Sequence, residues 1–570
     1  MKLITQIKET LKPSRVWIFM VPMALAGFTS CVNDGPADCP QEETVVKQET
    51  ERFFIRLKTQ MRDGTRSGTT SEGESEHGRL DAEVTESSIV SLNTIFCEVK
   101  DEDDPSQDKY LTHLFGYPEL SAGDNSSVNV TLEVTDPNIF FGRLSNRKLR
   151  LYLVANYNIP SEGISPASSK ISFSGYNDKN PLGTFERGGR VLPLVNSCES
   201  GILNFERKSS DEIKELFYAS VDNSLNISKE NEGIGSVGTI SLERVVARID
   251  YKGQPEDEIP QPGIPDENSL DDEEEVDGQS NIYSLFGTTN EVYLQIDYMQ
   301  LFNVSEEEYL FRHSIRGNRS SAGYTDTDLV SLFGKENDSN DEDIYSWIVD
   351  TDWQQGDLKG SSAFIPYTEE YISNSTRLFV KDVLATGANA THIGSAYGTD
   401  TRSMYHPCWY VSENTIPSVA LMEKTDGNGE IIAAKYATGI KFLVKVLNKY
   451  GKPLVKNDPD KAPQIVFGTS EDGKSYITIT MPNGYYQDIP WDETLGGYYL
   501  TYYALINHNV PENWTEAQGL NPMHVGVVRN NVYQLTVKSI RNLPNPEEPK
   551  SMDLEIRVLP WNYKSSEVEW

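Results

Sequence analysis

From Met552 the chain alternates without a break: Met552, Leu554, Ile556 and Val558 are apolar, and Asp553, Glu555 and Arg557 between them are polar. A period of two marks a strand with one face buried and the other in water. This segment must therefore find a sheet. Near the other end, Phe53, Ile55, Leu57, Thr59 and Met61 fall on one face of a second strand, with Phe54, Arg56, Lys58 and Gln60 on the other. Two strands matched in length and pattern thus bracket the chain. Either can lay four or five side chains into one groove while its backbone pairs with the groove's edges, the mode of recognition called β-augmentation. Burying Met552, Leu554, Ile556 and Val558 at ~1.5–3 kcal/mol each contributes roughly 6–12 kcal/mol as an upper bound. Trp561, Val568 and Trp570 carry apolar weight beyond that run. Ahead of it, LPNPEEPK (543–550) holds three prolines, which cannot donate to a ladder and favour extended, semi-rigid backbone. After the preceding strand, Asn531 to Ile540, such a hinge permits either a tight hairpin or an arm that reaches a neighbour.

Between these ends, short strand-like runs recur at 89–99, 127–134, 148–156 and 239–252, then at 290–302, 376–383, 439–448, 475–481 and 497–507. A helix is expected at SSDEIKELFYAS, 209–220. This density of short strands predicts an all-β chain of sandwich type and argues against βαβ units. Residues 253–280, with the acidic run Asp271 to Glu275, read as a linker. The expected organisation is a signal segment 1–30, a tether 31–49, a first domain 50–252 whose opening strand is 51–61, the linker, and a second domain 281–570 ending in the strand 551–570. Within it, 301–420 is irregular and predicts long loops with one or two short helices. No repeat of 20–50 residues is visible, which excludes a solenoid or propeller.

Lys2, Lys8, Lys12 and Arg15 precede the apolar run VWIFMVPMALAGF, which ends at Phe28-Thr29-Ser30-Cys31. That is the build of a secretory signal ending at a lipid-accepting cysteine, and the run is too short to span a bilayer. A small aliphatic residue usually stands three places before such a cysteine; here it is Phe28. The expected membrane tie is a lipid on Cys31, with the mature chain outside the cytoplasm. Between the first strand and the core lies RDGTRSGTTSEGESEHG (62–78), Gly- and Ser-rich and without apolar period. It reads as an exposed loop in which Arg62 and Arg66 are open to a trypsin-like protease. Cys39, Cys97, Cys198 and Cys408 are too widely spaced for a zinc ribbon or a redox pair, and read as buried thiols with at most one bridge.

Signals for chemistry are weak throughout. The net charge of −35 excludes a nucleic-acid partner, whose phosphates need clustered Lys and Arg. Gly233, Gly235 and Gly238 match a dinucleotide fingerprint, but a strand follows where a helix is required. His406 and Cys408 have no third group to complete a site. Asp101, Asp103, Asp104 and Asp108 lack the glycine and closing Glu of a calcium loop and read as a solvated turn. The chain reads as a non-enzyme with no cofactor and no metal. Tyrosine is abundant, at 29 residues, and offers either cross-strand packing or an aromatic glycan-binding face.

Four segments, TISLERVVARIDYK (239–252), PCWYVSENT (407–415), MHVGVVRNNVYQLTVKSI (523–540) and IRVLPW (556–561), together resemble the fimbrillins of Bacteroidales, in particular the major subunit of the minor fimbria. The likeness is strongest over 499–570. It implies two tandem transthyretin-like Greek-key β-sandwiches with a few short helices, and a subunit of a cell-surface fimbria. It further implies export as an outer-membrane lipoprotein on Cys31 and a cut by an arginine-specific protease after Arg66 or Arg62. The first strand, with Phe53, Ile55, Leu57 and Met61, would then leave. The vacated groove would accept the last strand of another fimbrial subunit, with Met552, Leu554, Ile556, Val558 and Trp561. Two other readings stay open: an accessory or tip adhesin that works through 301–420, and a surface lipoprotein that binds glycans.

Overall fold

A computed structural model describes residues 53–61, 80–81, 89–102, 105–118, 127–160, 163–172, 192–196, 202–213, 224–226, 240–253, 281–285, 292–302, 304, 307–318, 330–332, 344–349, 378–380, 406–415, 438–508, 526–544 and 552–562. Its first strands are β1 (Phe53–Met61), β2 (Leu80–Asp81), β3 (Leu92–Glu98), β4 (Lys109–Pro118) and β5 (Ser127–Val134). A short helix α1 (Pro137–Leu144) precedes β6 (Lys148–Ala155), β7 (Lys170–Ser172), β8 (Leu194–Asn196), β9 (Ile202–Asn204) and β10 (Ser224–Asn226). Next come β11 (Ile240–Arg244), β12 (Ala247–Lys252), β13 (Ile282–Ser284), β14 (Tyr293–Phe302), β15 (Glu307–Tyr309) and β16 (His313–Asn318). They are followed by β17 (Val330–Leu332), β18 (Ile344–Val349), β19 (Leu378–Phe379), β20 (His406–Val411) and β21 (Asn414–Thr415). The last are β22 (Gly439–Leu447), β23 (Ile465–Thr469), β24 (Ser475–Thr480), β25 (Tyr486–Asp492), β26 (Gly497–Leu505), β27 (Gly526–Val527), β28 (Asn531–Ile540) and β29 (Met552–Asn562). The all-β class expected from the sequence is the class observed.

Three large sheets hold most of these strands, and three small ones (β15-β7, β17-β16-β18 and β21-β27) hold the rest. In the first, of nine strands, the order β1-β11-β8-β6-β3-β4-β5 closes on itself because β1 also pairs with β5. The second runs β2-β29-β28-β12-β20, and the third, of eight strands, β13-β14-β22-β26-β25-β24-β23 with β19 beside β14. One continuous apolar core takes in Leu92, Phe96 and Leu151 of the first sheet, Tyr251 and Leu535 of the second, and Ile440 and Val444 of the third. Alternation explains the strands locally: in β22, Ile440, Phe442, Val444 and Val446 are fully buried, while Lys441 and Lys445 are half-buried.

Some local expectations change. The run 239–252 is two strands: β11 stays in the ring, and after Val245 and Val246 the chain turns into β12, which pairs parallel with β28 and antiparallel with β20. The expected helix near 209 begins as read, with a capping box in which Ser209 and Glu212 bond each other's backbone N–H at 3.2 and 2.7 Å. Helix α1 had no counterpart in the reading. Asp136 caps it by accepting from Ile139 N, and Pro137 opens it. Phe140, Phe141 and Leu144 are its buried side, Phe140 meeting Phe96 edge-on at 5.3 Å. Asp108 is not solvated: it is buried and accepts from Arg150 Nη1 at 2.9 Å and from the Tyr152 hydroxyl at 2.7 Å. Cys97 and Cys408 are buried on different sheets and are not joined in a disulfide, and burial, with Asp108 second, pushes the Cys97 thiol far up.

Candidate assembly site

β1 closes the first sheet by lying between two edges. On one side Phe53 to Gln60 pair antiparallel with Val134 to Ser127 of β5. On the other, Phe54 to Arg56 pair parallel with β10, and Thr59 to Met61 with Ile240 to Leu242 of β11. Residues directly opposite on antiparallel strands share a face. The apolar positions 53, 55 and 57 stand opposite Val134, Leu132 and Val130, whose side chains are 3%, 0% and 0% exposed. The alternation of β1 is therefore in register with the core face of β5. Position 61 stands beside Leu242, which is fully buried.

β29 carries the same alternation in a different setting. It pairs antiparallel with β28 from Met552 opposite Ile540 to Pro560 opposite Asn531, with an irregularity between Val537 and Ser539. Leu554, Ile556 and Val558 stand opposite the buried Val537, Leu535 and Tyr533. Val558 and Leu559 are buried, whereas Met552, Leu554 and Ile556 are half-buried and lie against the edge of the core. On the outer edge of β29, only Trp561 and Asn562 find strand partners among the described residues: Leu80 and Asp81 of β2, in parallel. The polar residues form surface ion pairs, Glu555 with Lys538 at 3.0 Å and with Arg557 at 2.8 Å, and Asp553 with Arg541 at 2.9 Å.

Between these two strands lies a buried charge network that the sequence did not announce. Arg529, fully buried in the turn before β28, donates from Nε to Glu413 at 3.1 Å, from Nη1 to the Leu310 carbonyl at 3.0 Å and from Nη2 to the Tyr309 carbonyl at 2.6 Å. Its backbone N–H donates to the same Glu413 carboxylate, and Glu308, fully buried, stands 3.7 Å from Nη2. Arg312 pairs with Glu243 of β11 at 3.1 Å. The neighbouring Arg244 donates to Asn530 at 3.2 Å, and Asn530 takes the left-handed conformation (φ 60°) that its short polar side chain tolerates. Burial raises the Glu308 and Glu413 carboxyls, opposed by Arg529. His313, stacked on Tyr309 at 3.8 Å, is pushed down to about 3 by burial and by the charge of Arg529.

Cys31, Arg62 and Arg66 lie outside the described residues. Met552, Leu554, Ile556 and Val558, expected to donate, and the backbone of Trp561 lie together on β29, and Phe53, Ile55, Leu57 and Met61 on β1. Reasoning from sequence missed Glu243, Glu308, Arg312, Glu413 and Arg529 as a group. For Glu243, Glu413 and Arg529 a signal exists, since LERVVAR, YVSENT and VVRNN are among the segments that carry the family likeness; Glu308 and Arg312 lie outside those segments.

The geometry defines an all-β protein with a self-closing first sheet and a last strand that, among the described residues, pairs with β28 along most of its length and with β2 at two residues. Among the described residues no group of three His, Cys, Asp or Glu is placed to hold a metal ion, and no helix is long and apolar enough to cross a membrane. Over residues 498–567 the chain is similar to the fimbrillins: that segment matches the family model for the C-terminal region of fimbrillin, the major fimbrial subunit protein type IV. No curated protein matches the chain. Among solved structures it is similar to a candidate cell adhesion protein from Parabacteroides distasonis, at 13% identity and a TM-score of 0.36 over 90% of this chain and 100% of that one. It is also similar to the C-terminally truncated tip fimbrial protein Mfa3 from Porphyromonas gingivalis, at 10% identity and a TM-score of 0.28, covering 90% of this chain and 100% of that one. A candidate cell adhesion protein from Bacteroides eggerthii shares 11% identity at a TM-score of 0.29, with 89% and 96% covered.

Proposed function

We propose that this chain is a structural subunit of a cell-surface fimbria, assembled by exchange of strands between copies. In this reading it is exported as a lipoprotein on Cys31 and cut after Arg66 or Arg62 by an arginine-specific protease. β1 then leaves the first domain (50–252), and β29 of another subunit, swung out of the second domain (281–570) on the proline hinge, takes its place. The observation that carries the reading is the position of β1, the one strand that joins β5 to β11 and so closes the ring. Without it, two unpaired edges face each other across a floor that includes Val130, Leu132, Val134 and Leu242. Unpaired edges over an apolar floor recruit another strand, and β29 offers the matching alternation. Among the described residues one ladder, to β28, holds β29 along most of its length.

Replacing Arg62 and Arg66 by Ala is expected to leave a lipid-tethered monomer that never forms SDS-resistant ladders. Ladders from that variant would refute the cleavage step. N-terminal sequencing of sheared filaments gives an independent check: a start at Asp63 or Ser67 is expected, whereas a lipid-blocked Cys31 counts against the scheme.

A further inference from the structure

We infer that Arg529 is the positioning residue of a buried joint that holds the terminal hairpin, β28 with β29, at a fixed angle to the ring closed by β1; this rests on the strand-exchange reading above. Four separate segments meet at the joint. Glu243 and Arg244 come from β11 of the ring, Glu308 to Arg312 from β15 and the residues after it, Glu413 from the link between β20 and β21, and Arg529 and Asn530 from the turn into β28. The 308–312 segment is itself tied to the first part of the chain, since β15 pairs with β7 and Leu310 N–H donates to the Ser169 carbonyl at 2.9 Å. All three guanidinium nitrogens of Arg529 are engaged, to partners 116 to 220 residues away in sequence.

Why charges should stand here follows from what apolar packing cannot do. The three arginines Arg244, Arg312 and Arg529 balance the three glutamates Glu243, Glu308 and Glu413, and each of the six is less than a tenth exposed. A buried ion network adds little net stability over apolar side chains of the same volume. What it adds is direction: apolar surfaces slide over one another, whereas a planar fork with fixed donors accepts one arrangement. In a strand-exchanging subunit that arrangement matters, because the angle between the groove that receives and the hairpin that donates sets the rotation from one subunit to the next. The joint fixes that rotation.

The test compares wild type with Arg529→Met, which strands buried carboxylates, and with the triple variant Arg529→Met, Glu308→Gln, Glu413→Gln. The triple variant removes the charge of Arg529 together with those of the two carboxylates nearest it, at nearly constant volume, leaves the Arg312–Glu243 pair in place, and keeps an acceptor for the backbone N–H at position 529. A synthetic 551–570 peptide, added to processed protein, reads the groove alone; it is expected to bind wild type and triple variant equally. Failure to bind wild type would sink the strand-exchange reading and leave the joint to a second measurement. Filaments of the triple variant, imaged by electron microscopy, are expected to lose a uniform rotation per subunit; unchanged helical parameters overturn the inference. The second measurement is native-state hydrogen exchange in urea. In wild type, amides of β3 and β28 are expected to open together, and in the triple variant at separate urea concentrations. Joint opening in both proteins overturns the inference as well, whatever the filaments do.

Discussion

β1 and β29 are chemically alike and structurally opposite. Each alternates apolar and polar residues over about the same length, yet among the described residues β1 is paired on both edges, with β5 on one side and with β10 and β11 on the other, while β29 is paired along one edge and at two residues on the other. Leaving the sheet therefore costs β1 two ladders and β29 one. On the strand-exchange proposal the difference gives two such strands different triggers: a strand held on both edges would stay until the chain behind it is cut, whereas a strand held mainly along one edge could be drawn out by a better groove.

The strongest way to break that comparison is to delete each strand in turn. Removing 53–61 from the precursor opens the ring, so the monomer is expected to aggregate or to remain unfolded by circular dichroism, with rescue by either the 53–61 or the 551–570 peptide. Removing 552–570 exposes β28 and leaves the ring intact, so a folded monomer that cannot donate is expected. A folded, monomeric product of the first deletion would show that β1 does not close the ring. Next in size come single side chains. Leu132→Ala, on the fully buried face of β5 opposite position 55, is expected to cost about 2–5 kcal/mol in urea unfolding of the precursor. Leu554→Ala, half-buried on β29, is expected to cost roughly half as much, because less apolar area leaves water there. Equal losses would mean that the two strands are held alike.

How much of this could be read beforehand depends on how local each cause is. Alternation is local, so β5, β6, β22, β26 and both terminal strands stand where their patterns predict. Closure is not local: nothing in FFIRLKTQM says that its neighbours will be residues 127–134 and 240–242. β4 was missed because Tyr110, His113 and Gly116 blur its alternation and an acidic turn precedes it. Helix α1 is too short for a period of 3.6 to show, although Asp136 and Pro137 mark its start. The charge network was the least legible part. Arg529, Glu413 and Glu243 have the composition of surface residues, and only contacts across hundreds of residues turn them inward. Asp108 shows the same effect on a smaller scale, since an aspartate in an acidic run reads as solvated until Arg150 and Tyr152 are seen to face it.

The joint that separates the two strands also has a pH signature. His313 is held down to about 3 in the fold against an ordinary value near 6.5. Between those limits the unfolded chain binds a proton that the folded chain refuses, so stability rises with pH across that window and is lost as pH falls. Glu308 and Glu413, raised by burial, act in the opposite sense above the ordinary Glu value. The difference between wild type and His313→Gln isolates the histidine. Urea midpoints at pH 7 and pH 5 are expected to move further apart in wild type than in the variant, and an equal separation would remove His313 from the joint.

The smallest expected effect lies on the outer face of β29. Glu555 stands between Lys538 and Arg557, with side chains 31%, 42% and 50% exposed. Exposed pairs of this kind contribute about 0–1 kcal/mol, less in salt. Lys538 belongs to β28 and Glu555 to β29, so the pair is made only while β29 lies at home, and Arg541 with Asp553 adds another of the same kind. Glu555→Gln should therefore weaken the resident state of β29 slightly without touching the apolar residues that would enter a partner's groove. Extension from processed subunits is then expected to start sooner at low salt, with the advantage fading as salt is raised. Slower extension at low salt would instead place Glu555 in the exchanged junction, and would make the polar face of β29, as well as its apolar face, part of what the receiving groove reads.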